Sequence, residues 1–146
     1  MAALSAAGMQ FLLPALVFLA GALRAFATGT SWGTLGMLIL IAQSVFAMDN
    51  PPAIVCLSAC MSGAVCGDHC SPISDTTIPA STGAECDHVD HVDTQLPYAV
   101  TAALVSLAGY ILTGVFVRLD LPPILALPVS LVFMVLVLIF FRARKK

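Results

Sequence analysis

Charge is scarce in this chain. Of its 146 residues only 10% are charged, against 60% hydrophobic, where a soluble domain carries about a quarter charged residues. The shortage is also uneven: residues 1–23, 25–48, 50–67, 94–117 and 121–141 hold no Asp, Glu, Lys or Arg. A run of about 18 such residues is long enough to cross the hydrocarbon core of a bilayer as a helix. Together with a mean hydropathy of +1.01, these runs exclude a soluble globular protein. The chain reads as an all-α integral membrane protein with the lipid bilayer as its medium.

Other absences narrow the function. The only dense basic cluster is Arg142, Arg144, Lys145 and Lys146 at the C-terminal end, so no surface is suited to a nucleic-acid backbone and no nucleic-acid partner is expected. The five cysteines (Cys56, Cys60, Cys66, Cys70, Cys86) are an odd number without Cys-x-x-Cys spacing. Two of them sit in an apolar run, where cysteine behaves as a small buried hydrophobe, and a disulfide scaffold is not expected. Cys66, His69, Cys70, Cys86, His88 and His91 are zinc-ligand types, yet the pairing that marks a zinc site is missing, so neither metal nor cofactor is expected. No nucleophile–base pair, phosphate-cradling glycine loop or metallopeptidase motif is present, and the chain does not read as an enzyme. Residues 11–23 have the apolar core of a signal peptide, but the one nearby cation, Arg24, follows that core. This inverts the usual charge order, so the segment reads as structure.

The remaining pattern gives a single transmembrane unit, residues 1–146. Residues 96–117 and 122–141 read as two regular transmembrane helices joined by a turn at 118–121. The basic flank after the second favours a cytoplasmic C-terminus in a multi-pass protein of the cell inner or plasma membrane. Earlier, Gly29-Thr30-Ser31-Trp32-Gly33 interrupts the apolar pattern, which predicts a re-entrant helical hairpin over 9–47 with its tip at 28–33. The polar stretch 67–77 begins only about 20 Å into the next apolar segment, so 52–82 reads as a broken span. Irregular backbone at that depth needs protein or a polar cavity to satisfy it, and short, interrupted apolar segments point to a transporter's binding site. Residues 84–95 read as an interfacial helix, with Val89 and Val92 on one face and Glu85, Asp87, Asp90 and Asp93 facing water beside His88 and His91. A solvated connector is the preferred reading there; the alternative is a pH sensor pairing Asp87 with His91 at i,i+4. The hairpin returns to its own side, which gives three net crossings and an N-terminus outside. Such a start suggests a part of something larger.

Four strings in order carry a resemblance: Ala27-Thr28-Gly29-Thr30-Ser31-Trp32-Gly33-Thr34, Gly67-Asp68-His69-Cys70-Ser71-Pro72-Ile73-Ser74-Asp75-Thr76-Thr77, Cys86-Asp87-His88-Val89-Asp90-His91-Val92 and Thr94-Gln95-Leu96-Pro97-Tyr98-Ala99. Across residues 5–117 the chain resembles the NhaC family of sodium/proton antiporters. The resemblance implies an ion-transporter fold of which this chain looks like the C-terminal inverted repeat, and exchange of Na⁺ for H⁺, the transported species, by alternating access. Family members are several times longer. A complementary N-terminal half or a homo-oligomer is therefore expected as partner, and Asp93 stands where a basic residue is expected. Some relatives exchange organic or amino acids, which leaves the solute open. From a different class, the chain also reads as a truncated, non-transporting membrane subunit or remnant.

Such exchange needs an oxygen cage for a hard cation and a carboxylate able to hold either the ion or a proton. Residues 67–77 offer Asp68, His69, Ser71, Ser74, Asp75, Thr76 and Thr77. The hairpin tip adds Thr28, Thr30, Ser31 and Thr34, and the two loops form a site if they meet. Asp75 is the leading ion/proton switch, because burial favours the protonated form of a carboxylate and a bound cation the ionised one; its alternative role is to cap a half-helix starting at Thr76. Asp68 reads as a second intramembrane carboxylate or as one facing a water-filled vestibule. Ser71 before Pro72 has the pattern of a helix N-cap, and Thr28, Thr30 and Ser31 either bind the ion or return hydrogen bonds to a turning backbone. Trp32 reads as an anchor or packing residue. His69 is a candidate for relaying protons.

Overall fold

The computed structural model describes residues 10–45 and 51–144. A 3-10 turn at Gln10–Leu12 leads into α1 (Leu13–Thr28), then α2 (Ser31–Val45), α3 (Pro51–Cys70), the short α4 (Thr77–Gly83) and α5 (His88–Arg118). A second 3-10 turn, Pro123–Leu125, precedes α6 (Ala126–Arg144). Among the described residues the regular elements are all helical, as expected of an all-α membrane protein. α3, α5 and the stretch Pro123–Ala143 are long and apolar enough to cross a membrane, while α1 and Ser31–Ile41 are shorter apolar helices.

α1 and α3 make the most extensive interface in the fold, and small residues make it possible. Ala53, Cys56, Cys60 and Ala64 recur every three or four positions along α3, with Ala59 beside them, and all five are at most 2% exposed. Gly63 and Gly67 extend the stripe. A Cβ at Gly63 would collide with the Phe18 carbonyl, and one at Gly67 with the Ala22 carbonyl. In lipid, helices associate through such close backbone approach, since apolar side chains gain nothing by leaving hydrocarbon. Gly63 meets residue 18 and Gly67 meets residue 22, so α1 and α3 run parallel. Their C-terminal ends therefore lie at the same level.

α1 stops because Gly29 takes a left-handed φ of 66°, its N–H returning to the Ala25 carbonyl at 2.8 Å, an ending that favours glycine. Thr30 Oγ1 then accepts from the Gly33 N–H at 3.4 Å and caps α2. Over the expected re-entrant hairpin 9–47 the described residues form α1, a turn at residues 29–30 and α2; residue 9 and residues 46–47 lie outside the described residues. The expected span 52–82 is α3, an irregular stretch at 71–76, and α4.

Three boundaries differ from the sequence reading. Residues 84–95 are not a separate helix: α5 starts at His88 and runs on to Arg118. The charged segment differs in composition from the apolar residues after it but contains no residue that breaks a helix, and Pro97 is absorbed within α5. Ser71-Pro72 does not start a helix either, since the helix resumes only at Thr77. The last helix starts at Ala126 because Pro122 and Pro123 hold the preceding turn. Tyr110 locks α5 onto the α1–α3 pair: its ring lies 5.4 Å from that of Phe18. Its hydroxyl is 2.6 Å from Ser62 Oγ and 3.2 Å from Ser58 Oγ.

Candidate functional site

Parallel packing brings the hairpin tip and the break after α3 together. The Asp75 N–H donates to the Gly29 carbonyl at 2.9 Å, and a Cβ on Gly29 would run into the Ile73 carbonyl. Two helix C-termini, those of α1 and α3, thus converge on one level. Each brings the negative end of a helix dipole, which favours a cation.

Asp68 occupies the last turn of α3, one helical step beyond Ala64 on the buried stripe, and is fully buried. Its Oδ2 accepts from the Thr76 hydroxyl at 3.2 Å, whereas its Oδ1 is buried with no partner among the described residues. Ser74, also fully buried, organises the break. Its Oγ accepts from the N–H groups of Thr76 and Thr77, each at 3.1 Å, and lies 2.8 Å from Thr76 Oγ1. The Thr76 proton is committed to Asp68, so the Ser74 hydroxyl donates to Thr76. The result is a directed chain, Ser74 to Thr76 to Asp68. It leaves Oδ1 as the free acceptor.

The other expected residues take more varied places. Asp75 is exposed and contributes its backbone N–H to the tip; the side chain that caps this half-helix belongs to Ser74. Ser71 is fully buried, and its Oγ accepts from the Ile73 N–H at 3.3 Å. Thr77 is buried. Thr28 Oγ1 donates to the Arg24 carbonyl at 3.0 Å and accepts from buried Thr34 at 3.3 Å, which ties the end of α1 to the first turn of α2. Thr30 serves the α2 cap, Ser31 is half-buried, and Trp32 is 80% exposed. Trp32 therefore does not pack within the described fold. Arg24 is half-buried, and its Nε finds no partner among the described residues.

His69 lines a groove of ≈ 800 Å³ between α3 and α5, with Cys66, Thr76, Gln95 and Tyr98. Its Nδ1 lies 2.9 Å from the Val65 carbonyl, which can only accept, so Nδ1 carries the proton and Nε2 remains for a second.

Two positioning residues escaped the sequence reading. His88 is half-buried with both ring nitrogens engaged: Nε2 is 2.7 Å from the Pro72 carbonyl and Nδ1 3.0 Å from Ser81 Oγ, so it clamps the break to α4 and α5. Gln95 Nε2 donates to the His69 carbonyl at 2.7 Å, tying α5 to the end of α3. Gln95 belongs to the Thr-Gln-Leu-Pro-Tyr string, which was its signal; nothing in the alternation around His88 distinguishes it from His91. Asp87 caps α5, its Oδ1 accepting from Val89 and Asp90 N–H at 2.8 and 3.3 Å, and His91 Nδ1 lies 4.0 Å from Cys86 Sγ.

A sequence profile of the Na+/H+ antiporter family matches residues 3–115. An uncharacterized protein of Haemophilus influenzae is 53% identical over 139 residues, 94% of this chain and 25% of that protein. The malate-2H(+)/Na(+)-lactate antiporter of Bacillus subtilis is 33% identical over 77% of this chain and 26% of its own length. The arginine/ornithine antiporter ArcD of Halobacterium salinarum is 36% identical over 73% and 23%. No solved structure matches. The chain thus spans about a quarter of the length of these curated relatives. With the profile covering most of the chain and the tip meeting the break, the chain belongs to the Na+/H+ antiporter family.

Proposed function

We propose that this chain carries the ion site of a secondary antiporter that exchanges Na⁺ for H⁺ by alternating access, with Asp68 as the exchanging carboxylate. The observation that carries the reading is Asp68 Oδ1, buried and unpartnered among the described residues beside two converging helix C-termini. A lone buried carboxylate oxygen is costly. Either a proton or a desolvated cation relieves that cost, and the two cannot occupy the same lone pair at once. Competition for this one carboxylate is then the exchange step. Ser71, Ser74, Thr76, Thr77 and the tip hydroxyls supply neutral oxygens around it, and the Asp75 amide holds the two loops together. The protein sits in the cell membrane with its C-terminus on the cytoplasmic side, a reading supported by the basic flank Arg142, Arg144, Lys145 and Lys146. A second copy or a complementary half completes the transporter, in keeping with a chain a quarter of its relatives' length.

The test is proteoliposomes of the purified chain with a trapped pH dye, given Na⁺ against a preset pH gradient. Sodium-driven proton movement that vanishes in Asp68→Asn and survives in part in Asp75→Asn is the expected result. Loss confined to Asp75→Asn would move the exchange step there. A flat trace from well-folded protein would reduce the chain to a non-transporting subunit. A second reading, ion-coupled exchange of an organic or amino acid, is favoured by the lactate and ornithine antiporters among the relatives. Counterflow of labelled malate, lactate, arginine or ornithine in the same vesicles distinguishes it.

A further inference from the structure

We infer that the groove between α3 and α5 is the aqueous route by which ions and protons reach Asp68, with Thr76 as its inner end; this rests on Asp68 being the exchanging group. Asp68 itself is fully buried and does not open onto the groove. Thr76 does both things at once: it lines the groove and its hydroxyl donates to Asp68 Oδ2. The groove, ≈ 800 Å³ in volume, is large enough for many waters, each needing about 30 Å³. Its wall carries a series of polar side chains: Ser62, His69, Gln95 and Ser106, besides Thr76 and Thr77. Polar side chains at membrane depth are costly facing hydrocarbon and are retained where they meet water or one another. His69, next along the chain from Asp68, lines the groove and has a ring nitrogen besides the one bonded to Val65, which suits handing a proton on towards Thr76.

Among the groove-lining side chains, Thr76 is the one that donates a hydrogen bond to Asp68. Its methyl and hydroxyl make it an inner gate: donating to Asp68, it stands between carboxylate and groove, and turned away it leaves the Oδ2 side open. Entry by this face also keeps the tip–break junction intact, since that junction is made by backbone groups of Gly29 and Asp75.

The experiment is cysteine labelling of the full chain in membrane vesicles with a charged, membrane-impermeant methanethiosulfonate. In a background with the five native cysteines replaced by alanine, Ala99→Cys and Ala102→Cys line the groove, while Leu104→Cys lies on the exposed outer face at 62% exposure. The groove positions are expected to react at least roughly tenfold faster than Leu104→Cys, because the reactive thiolate needs water. Na⁺ is expected to slow labelling of Thr76→Cys several-fold relative to N-methylglucamine. Thr76→Val should abolish sodium-driven exchange while leaving Ala99→Cys labelling unchanged, and Thr76→Ser should restore exchange. If the cysteine-free background does not fold, Ala99→Cys, Ala102→Cys and Leu104→Cys are placed singly in the native chain and read by peptide mapping, with Cys56 and Cys60, each 1% exposed, as unreactive internal references. Groove positions as unreactive as Leu104→Cys, or labelling at Thr76→Cys indifferent to Na⁺, would overturn the route. Labelled and sodium-protected groove positions in vesicles without proton exchange would instead sink the Na⁺/H⁺ reading and leave the route standing.

Discussion

The Gly29 carbonyl accepts from the Asp75 N–H at 2.9 Å, so the tip of one helical hairpin and the break of the neighbouring span are a single backbone junction. It depends on the left-handed turn at Gly29, which aims that carbonyl away from α1 and lets the Ile73 backbone approach. Gly29→Ala should therefore lower stability in detergent by the roughly 1–2 kcal/mol of a left-handed non-glycine residue, and further by the collision with Ile73, with sodium-driven flux lost. Gly36 provides the contrast, because an added Cβ there meets nothing within 4 Å. Gly36→Ala should stabilise α2, by up to about 1 kcal/mol. Equal melting temperatures for the two variants would argue against the junction.

Ser74 holds the break by accepting two backbone N–H groups and donating to Thr76. Ser74→Ala removes all three bonds. The expected cost is about 1 kcal/mol for the lost cap, together with a several-fold weaker apparent Na⁺ affinity, as Thr76 loses the donor that orients it. Thermal unfolding and the sodium dependence of exchange are read on the same preparation. A stability loss with unchanged sodium dependence would confine Ser74 to capping.

Much of this fold was legible in the sequence, because charge-free runs and glycine interruptions are direct consequences of the lipid environment. The turn at residues 29–30 lies inside the expected tip and the irregular stretch 71–76 inside the polar string 67–77, although Ser71-Pro72 has the pattern of a helix start and the helix resumes only at Thr77. The sequence was less informative about which carboxylate is buried. Asp75 and Asp68 lie in one polar string, but burial at this site is decided by the stripe Ala53, Cys56, Cys60, Ala64, Asp68, repeated every three or four residues along α3. That periodicity continues into the polar string and marks Asp68, whereas composition treats the two alike. The role of His88 was not legible, since Pro72 and Ser81 reach it only once the chain folds back on itself.

The parallel packing of α1 on α3 makes its own prediction. Gly67 sits beside Asp68, and its Cα faces the Ala22 backbone with no room for a methyl group. Gly67→Ala forces two backbones apart rather than displacing a flexible side chain, so it should cost about 1–3 kcal/mol and disturb Asp68 directly. Denaturant titration in micelles would measure the first effect and sodium-driven exchange the second. An unaffected Gly67→Ala protein would contradict the close approach of the two helices.

The hydroxyl cluster on the groove wall allows a sharper test of packing. Ser62 Oγ donates to the Ser58 carbonyl at 2.7 Å, so the 2.6 Å contact with Tyr110 is donated by the phenol, and the Ser58 hydroxyl is free to donate to the phenol oxygen. A double-mutant cycle with Tyr110→Phe and Ser62→Ala should give a coupling of about 0.6 kcal/mol and no more than ~1.7, the range for side-chain hydrogen bonds within membranes. The value should fall towards the lower end, because after Ser62→Ala the phenol still has Ser58 within reach. Adding Ser58→Ala to the background should then raise the measured Tyr110–Ser62 coupling, because the phenol has no second partner to turn to. A coupling near zero throughout would mean that water replaces each lost partner, which requires that this wall of the groove be wet.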